Sequence, residues 1–568
     1  MPEIKAPWLN SYGEVPASLD YPDCSISEAV FATADKYGDK TALEFMGRRI
    51  NYSQLKESID TVARSFAALG VKKGDRVTIC LPNIPQAVYA LYAINRVGAI
   101  ASMVHPLSAV SEIEFYLNEV ESETIVCLDS FYKKVKDAVE NTKVKNIIVV
   151  SISDELSKVK SVAYKLMTER KNPKIDVGNG VLIWRDFIKN GKEFNRQYIA
   201  PTKAEEGAVI LFSGGTTGVT KAILLSNLNF IALAMQTVAM CNKQVRFKKM
   251  LAAMPVFHGF GLGVCIHTML FEGGCSVLVP RFNVKSYAQL IKKVRSNYIA
   301  GVPTLYDALT KNPYMDGVKL DCLMGVFSGG DSLPPALKER FDKFLKEHGA
   351  DVVIREGYGT TECVTASCLT PYHMERTGSI GFPYPDTYYK ICGVGTNIEV
   401  PYGVEGEICL TGPSVMLGYL NHPEENANTL RVHEDGRTWL HTGDLGYMDE
   451  EGFIYFRQRI KRMIVTNGYN VYPSQIENIL DAHEAVQMSC VIGVKDEVKM
   501  QKVKAFVSLR EGYTPSEELK KEILAYLEKN VAKYAMPKEL EFRDEMPKTL
   551  VGKVAYTVLE KEEEAKAV

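Results

Sequence analysis

Between residues 51 and 130 the apolar side chains alternate between two spacings, and this alternation restricts the fold more than any other feature. Leu55, Ile59, Val62 and Ala63 recur at helical spacing, Arg76-Val77-Thr78-Ile79-Cys80-Leu81 reads as a strand, and Val88, Leu91, Tyr92 and Ile94 return to the helical period. Strands and helices in turn predict a parallel sheet with crossover helices, an α/β architecture. At 568 residues the chain exceeds one core, and length alone suggests about three or four domain-sized units. The most apolar window, residues 87–104, is broken by Asn95, Arg96 and Gly98. It therefore reads as a buried helix and strand, not a bilayer span; peripheral membrane contact stays open.

Hydrophobic residues at 46% and charged residues at 24% describe a soluble globular protein. A net charge of −2 without a long basic run gives no reason to expect nucleic acid. The twelve cysteines are scattered, with no C-x-x-C pair, which argues against a disulfide framework or zinc motif and for a reducing, cytoplasmic setting. Met1-Pro2-Glu3-Ile4-Lys5 has no apolar core of a secretory leader.

Further along, Asn141 to Tyr198 is lysine-rich and irregular and reads as a surface insertion without chemistry. Ser226 is placed to cap a helix with an apolar face of Leu228, Ile231, Ala232, Met235, Val238 and Ala239. Short runs over residues 390–411 predict a small β subdomain. The character changes at the polar joint Ile460-Lys461-Arg462. Beyond it come a helix from Pro473, strands at Ser489–Val494 and Ala505–Leu509, and a capping box in Thr514-Pro515-Ser516-Glu517 ahead of Leu519, Ile523 and Leu527. The expected domains are residues 1–460 and 461–568, with the boundary at Lys461.

Four segments carry chemistry. In Ser213-Gly214-Gly215-Thr216-Thr217-Gly218-Val219-Thr220-Lys221, glycines free backbone N–H groups, hydroxyls donate and lysine supplies charge, which suits a polyphosphate. It is not the Walker pattern, because an apolar strand-like run, Ala222-Ile223-Leu224-Leu225, follows instead of a helix. Glu356-Gly357-Tyr358-Gly359-Thr360-Thr361-Glu362, His441-Thr442-Gly443-Asp444 and Pro547-Lys548-Thr549-Leu550-Val551-Gly552-Lys553 come next in order. Together these resemble the signature segments of the adenylate-forming superfamily of acyl-CoA synthetases, luciferases and adenylation domains, most like the bacterial long-chain fatty-acid–CoA ligases.

The resemblance implies a large N-terminal domain of αβ sheet layers with a small β-barrel-like subdomain, and a small mobile α+β C-terminal domain turning about Lys461. It implies ATP, Mg²⁺ and coenzyme A. Ser213, Gly214, Gly215, Thr216, Thr217, Gly218 and Lys221 would hold the β- and γ-phosphates. Tyr358 would lie against adenine, with Gly330, Glu356 and Gly357 beside the nucleotide. Thr361 would meet the α-phosphate, and Glu362 with Thr217 would hold Mg²⁺. Asp444 and Arg459 would bind the ribose. Lys553 would bridge carboxylate and α-phosphate, Gly468 would line the pantetheine tunnel, and His258 in Pro255-Val256-Phe257-His258-Gly259 would orient the acid. Gln458 and Arg462 depart from the family's G-R-x-K-D hinge, and Val551 replaces a serine often seen there.

The implied activity is activation of a long- or medium-chain fatty acid to an acyl-adenylate, followed by transfer to the CoA thiol. Loading of a separate carrier protein, or use of an aromatic or other acid, remains open, as does a monomer or homodimer. A non-catalytic protein retaining the fold is disfavoured by the presence of Lys553 and Glu362.

Overall fold

The computed structural model describes residues 4–168, 172–213, 220–242, 244–466, 469–496, 500–549 and 553–566. Two sheets form the body. The first has eight strands, with Gly207–Phe212, Ile100–Met103, Arg76–Cys80, Thr124–Leu128, Asn146–Val150 and Val181–Ile183 parallel in that spatial order. Ala222–Ser226 pairs antiparallel to Gly207–Phe212, with Gly418–Tyr419 added outside it. The second sheet has nine strands around a parallel core of Cys275–Leu278, Lys249–Ala252, Tyr298–Gly301, Gly325–Ser328 and Ile354–Tyr358.

Between the sheets lies the helix Asn227–Met240. Ser226 caps it as expected: its hydroxyl accepts from the Asn229 N–H at 3.1 Å, and Asn229 Oδ1 accepts from the Ser226 N–H at 2.8 Å. The predicted apolar stripe is a correction. Nearly the whole circumference is buried, and Leu228 and Met235 are its less buried positions. A helix enclosed on all sides loses the one-sided pattern that periodicity detects.

Residues 141–198 are a second correction. Asn146–Val150 and Val181–Ile183 extend the parallel sheet to its edge, and Trp184–Glu193 packs Trp184 and Phe187 into the core. The segment is therefore part of the α/β layer. Its short edge strand and lysine-rich connections concealed this, because an edge needs little apolar sequence.

The predicted β subdomain is a five-stranded antiparallel sheet in which the long strand Thr438–Met448 pairs with Gly406–Thr411, Leu430–Val432 and Ile454–Arg459. Beyond the turn Ile460–Arg462 a separate sheet contains the paired strands Val486–Asp496 and Met500–Leu509. It packs on Pro473–Asp481, where Pro473 takes the first helical position, and on Glu517–Glu528. Leu519, Ile523 and Leu527 are buried, but the cap is Ser516, whose hydroxyl accepts from the Leu519 N–H at 3.1 Å, and not Thr514. Arg462 leaves the joint and pairs with Glu477 at 2.6 Å, with its guanidinium 4.6 Å from the Tyr556 ring centroid.

Asn227 is the polar node of the N-terminal layers. Fully buried, it accepts from the Ile26 N–H at 3.0 Å and from Asn95 Nδ2 at 2.8 Å, and donates to the carbonyls of Lys203 and Glu206. Asn227→Leu strands two donors, the Ile26 N–H and Asn95 Nδ2, while the two carbonyls keep backbone N–H partners, so we expect a stability loss of about 2–4 kcal/mol, measured as a lowered denaturation midpoint. An unchanged midpoint would contradict the node.

Candidate active site

Three elements meet at one buried carboxylate. Asp444 sits in the long strand Thr438–Met448 and is 1% exposed. Tyr358, at the end of Ile354–Tyr358 in the second sheet, donates its hydroxyl to Asp444 Oδ2 at 2.6 Å. Arg459, paired opposite Asp444 across the strands, brings Nε to 3.0 Å from Oδ1 and donates Nη1 to the Thr442 carbonyl at 3.2 Å. Oδ1 nevertheless receives no aligned hydrogen bond among the described residues. A buried carboxylate oxygen without a donor suits a ligand hydroxyl. Burial pushes the Asp444 carboxyl upward, and Arg459 opposes that shift.

The strand around Asp444 is braced by residues that motif reasoning missed. Glu407 accepts from the Gly443 N–H at 3.0 Å, and its other oxygen lies 2.8 Å from His441 Nδ1. His441 Nε2 lies 2.9 Å from His433 Nε2, and the Cys409 thiol is 3.5 Å from His441 Nδ1. Thr442 donates to the Ile408 carbonyl at 2.7 Å and accepts from the Asp444 N–H at 3.1 Å. The signal in sequence was the His441-Thr442-Gly443-Asp444 motif itself, but it names no partner in the neighbouring strand.

Thr361 and Glu362 open a short turn, Thr361–Cys363, that ends at Val364 with φ +66°. Positive φ in a β-branched residue is strained backbone, held here by the Thr365 N–H bonding the Cys363 carbonyl at 2.9 Å. The Tyr419 hydroxyl donates to Glu362 Oε1 at 2.8 Å, and Lys221 Nζ lies 4.8 Å from the Tyr419 ring centroid. Lys221 thus stands one ring away from Glu362. Ser213 closes the hairpin stem, its N–H donating to the Lys221 carbonyl and its hydroxyl accepting from the Lys221 N–H, both at 3.0 Å. Gly214, Gly215, Thr216, Thr217, Gly218 and Gly468 lie outside the described residues.

His258 begins the other wall. Its Nδ1 accepts from the Phe260 N–H at 3.2 Å, which places a neutral ring's proton on Nε2. Burial, reinforced by the Lys553 charge, drives its pKa down to about 4. After it, Phe260–His267 winds as a wide π-type helix, wholly buried. Glycines permit this path: a Cβ on Gly259 would meet the Val364 carbonyl oxygen at 1.6 Å, and one on Gly261 the Pro255 carbonyl oxygen at 2.1 Å. The strained Val364 turn and the His258 loop are therefore in direct backbone contact. Phe260 and Val264 then line a cavity with Phe327, Gly330, Ala366 and Tyr384, about 430 Å³ of empty space including open solvent.

Lys553 reaches this cleft from the C-terminal segment. Gly330 has φ +83°, and a Cβ there would sit 3.6 Å from Lys553 Cε and 4.0 Å from Nζ. Desolvation lowers the lysine's basicity; Asp331 and Asp444 counter it, and Arg459 adds to it. Asp331 was not foreseen as its counter-charge. Glu356 turns elsewhere, its Oε1 accepting from the Leu333 N–H at 2.9 Å, and burial raises its pKa to about 8. It holds the loop after Gly330 in place. Gly357 pairs with Leu369, one strand in from the sheet edge, and Lys461 is exposed in the turn Ile460–Arg462.

Two measurements follow from this geometry. The His258 imidazole should remain neutral with its proton on Nε2 between about pH 5 and 8 by NMR. With the folded pKa near 4, folding binds fewer protons than the unfolded chain below about pH 6.5. Stability from this group is therefore full above that pH and falls progressively down to about 4. A protonated ring at neutral pH would overturn the assignment. Gly259→Ala should cost at least about 2 kcal/mol through overpacking, read as a lowered unfolding midpoint together with a slower reaction.

The family described as "AMP-binding enzyme" matches residues 30–420, and its C-terminal domain matches residues 475–553. A curated long-chain-fatty-acid–CoA ligase of Bacillus subtilis is 34% identical over 571 residues, covering 99% of both chains. One of Escherichia coli O6:H1 is 33% identical over 580 residues, again covering 99% of each. Among solved structures, ATP-bound MatB from Rhodopseudomonas palustris aligns at TM-score 0.82 and 25% identity, over 95% of this chain and 99% of that one. Its apo form aligns at 0.72 over the same shares.

Proposed function

The chain belongs to the AMP-binding enzyme family, and from that premise we propose that it is an ATP-dependent fatty-acid–CoA ligase. The observation that carries the reading is Lys553: a lysine of the C-terminal segment meets Gly330 of the second sheet, within the field of Asp444 and Arg459. Full-length similarity to long-chain-fatty-acid–CoA ligases supports a fatty acid as the substrate. The cavity behind Phe260 and Val264 supports an apolar acyl group.

The first half-reaction brings a carboxylate against a polyphosphate. Two unit charges at contact repel by about 4 kcal/mol even at an effective dielectric near 20, so fixed cations must offset that repulsion. Lys553 is positioned to bridge the carboxylate and the α-phosphate. The Nε2–H of neutral His258 adds a hydrogen-bond donor without a second charge. A carboxylate oxygen attacks the α-phosphorus, the new O–P bond forms, and the bond to pyrophosphate breaks. Asp444 Oδ1, ion-paired with Arg459 but without an aligned donor among the described residues, would accept a ribose hydroxyl, and Tyr358 offers its ring to adenine while its hydroxyl fixes Asp444.

The β- and γ-phosphates would lie between the Ser213–Lys221 hairpin and Glu362. Glu362 fits a Mg²⁺ site, because Tyr419 occupies Oε1 and Oε2 makes no protein hydrogen bond among the described residues. When bound, the ion would neutralise phosphate charge. In the second half-reaction the CoA thiolate attacks the acyl carbon and the C–O bond to AMP breaks.

We place the domain boundary at Lys461, in the exposed turn between the last strand of the β subdomain and the C-terminal sheet. The approach of Lys553 to Gly330 supports a C-terminal unit that stands in the adenylate-forming position here and would turn for the second step.

The test is incubation with ATP, CoA and straight-chain acids of graded length, with acyl-CoA, AMP and pyrophosphate detected by mass. Release of ADP and phosphate instead would end the reading. Lys553→Ala should abolish adenylate formation, by at least about a hundredfold, yet leave thioester formation from supplied acyl-adenylate largely intact. Equal losses in both half-reactions would remove Lys553 from the role.

A further inference from the structure

The helix Lys158–Thr168 carries its amphipathicity the opposite way round from a core helix. At 3.6 residues per turn, Val162, Leu166, Val159, Ala163 and Met167 fall on one continuous arc. Lys158 and Lys165 flank one margin of that arc and Lys160 the other. A surface helix of a soluble protein turns such a stripe inward. Here Val159 is 82%, Val162 59%, Leu166 70% and Met167 75% exposed, while the polar residues Ser161, Tyr164 and Thr168 occupy the half-buried side. The orientation is pinned rather than loose. The helix packs on the turn Ile152–Glu155, and Lys160 donates to the Met46 carbonyl at 2.7 Å, which brings the exposed Met46 alongside.

Charge identifies the occupant. The helix has three lysines and no acid, although the whole chain carries −2. An apolar arc bordered on one side by the Lys158 and Lys165 ammonium groups and on the other by Lys160, which is held to Met46, matches the depth profile of a lipid interface, with acyl chains below and phosphates at the level of Lys158 and Lys165. A second copy fits poorly, since a two-fold contact through this arc sets lysines against lysines.

We propose that Lys158–Thr168 is a membrane-surface contact that seats on the anionic headgroups and outer acyl region of a phospholipid bilayer. The helix belongs to the crossover leading to Val181–Ile183, the edge strand at the opposite end of the first sheet from the phosphate-loop hairpin. Binding there is separate from the catalytic cleft and does not depend on which acid the protein activates.

Sedimentation of the full chain with phosphatidylcholine vesicles, or with equal parts phosphatidylcholine and phosphatidylglycerol, tests this. Retention should favour the anionic vesicles, weaken with salt, and fall at least about fivefold in Val162→Asp/Leu166→Asp. Lys158→Glu/Lys165→Glu should abolish the anionic preference, and both variants should keep the wild-type unfolding midpoint and adenylate formation. No retention of the wild type, or retention that survives the aspartates, overturns the proposal. So does a dimer that the aspartates dissolve while vesicles stay unbound, which would assign the arc to a second copy.

Discussion

The buried Asp444 carboxylate is the constraint on which the site depends. Tyr358 holds it from the second sheet, Arg459 holds it from the strand that leads into the turn Ile460–Arg462, and Glu407 fixes the backbone just before it. A carboxylate taken out of water is costly unless paired and hydrogen-bonded. Its placement therefore obliges the second sheet, the β subdomain and the start of the C-terminal segment to keep one mutual geometry. The same pairing fixes where Arg459 ends and where the turn Ile460–Arg462 begins. In the proposed function, ribose recognition and the seating of the C-terminal unit would share that foundation.

Much of this was legible in sequence because it was local. The alternation over residues 51–130, the hairpin around Ser213–Lys221, the Ser226 cap and the Pro473 helix start each follow from neighbours a few positions apart. The site's long-range partners were not legible. Glu407 and His441 are separated by 34 positions, and nothing in either local pattern announces the pairing. The π-type helix Phe260–His267 escapes a search tuned to 3.6 residues. Val364 looks like any strand-former, although its positive φ supports the Gly259 loop. The insertion expected over residues 141–198 misread a sheet edge, because the buried strand Asn146–Val150 and the half-buried Val181–Ile183 are joined by lysine-rich polar connections that dominate the composition.

Glycine has two distinct duties here. Gly330 needs its left-handed φ and leaves room for Lys553, whereas Gly259 and Gly261 need only the absence of Cβ against carbonyl oxygens. The first duty opens space for chemistry. The second closes backbone on backbone, so that the His258 wall and the Thr361-Glu362 wall cannot drift apart independently.

Lys553 shows how such a frame becomes reactive. Its basicity is lowered because the cleft desolvates it and Arg459 stands nearby, with Asp331 and Asp444 only partly compensating. A cation short of counter-charge gains most from an anion that enters the same desolvated space. In the proposed function a carboxylate and an α-phosphate would both supply that charge. The gain would be greatest when negative charge concentrates between the two groups, which is the pattern of the transition state and not of either reactant alone. In the proposed reaction, the incomplete neutralisation of Lys553 would thus let the same residue discriminate between ground state and transition state.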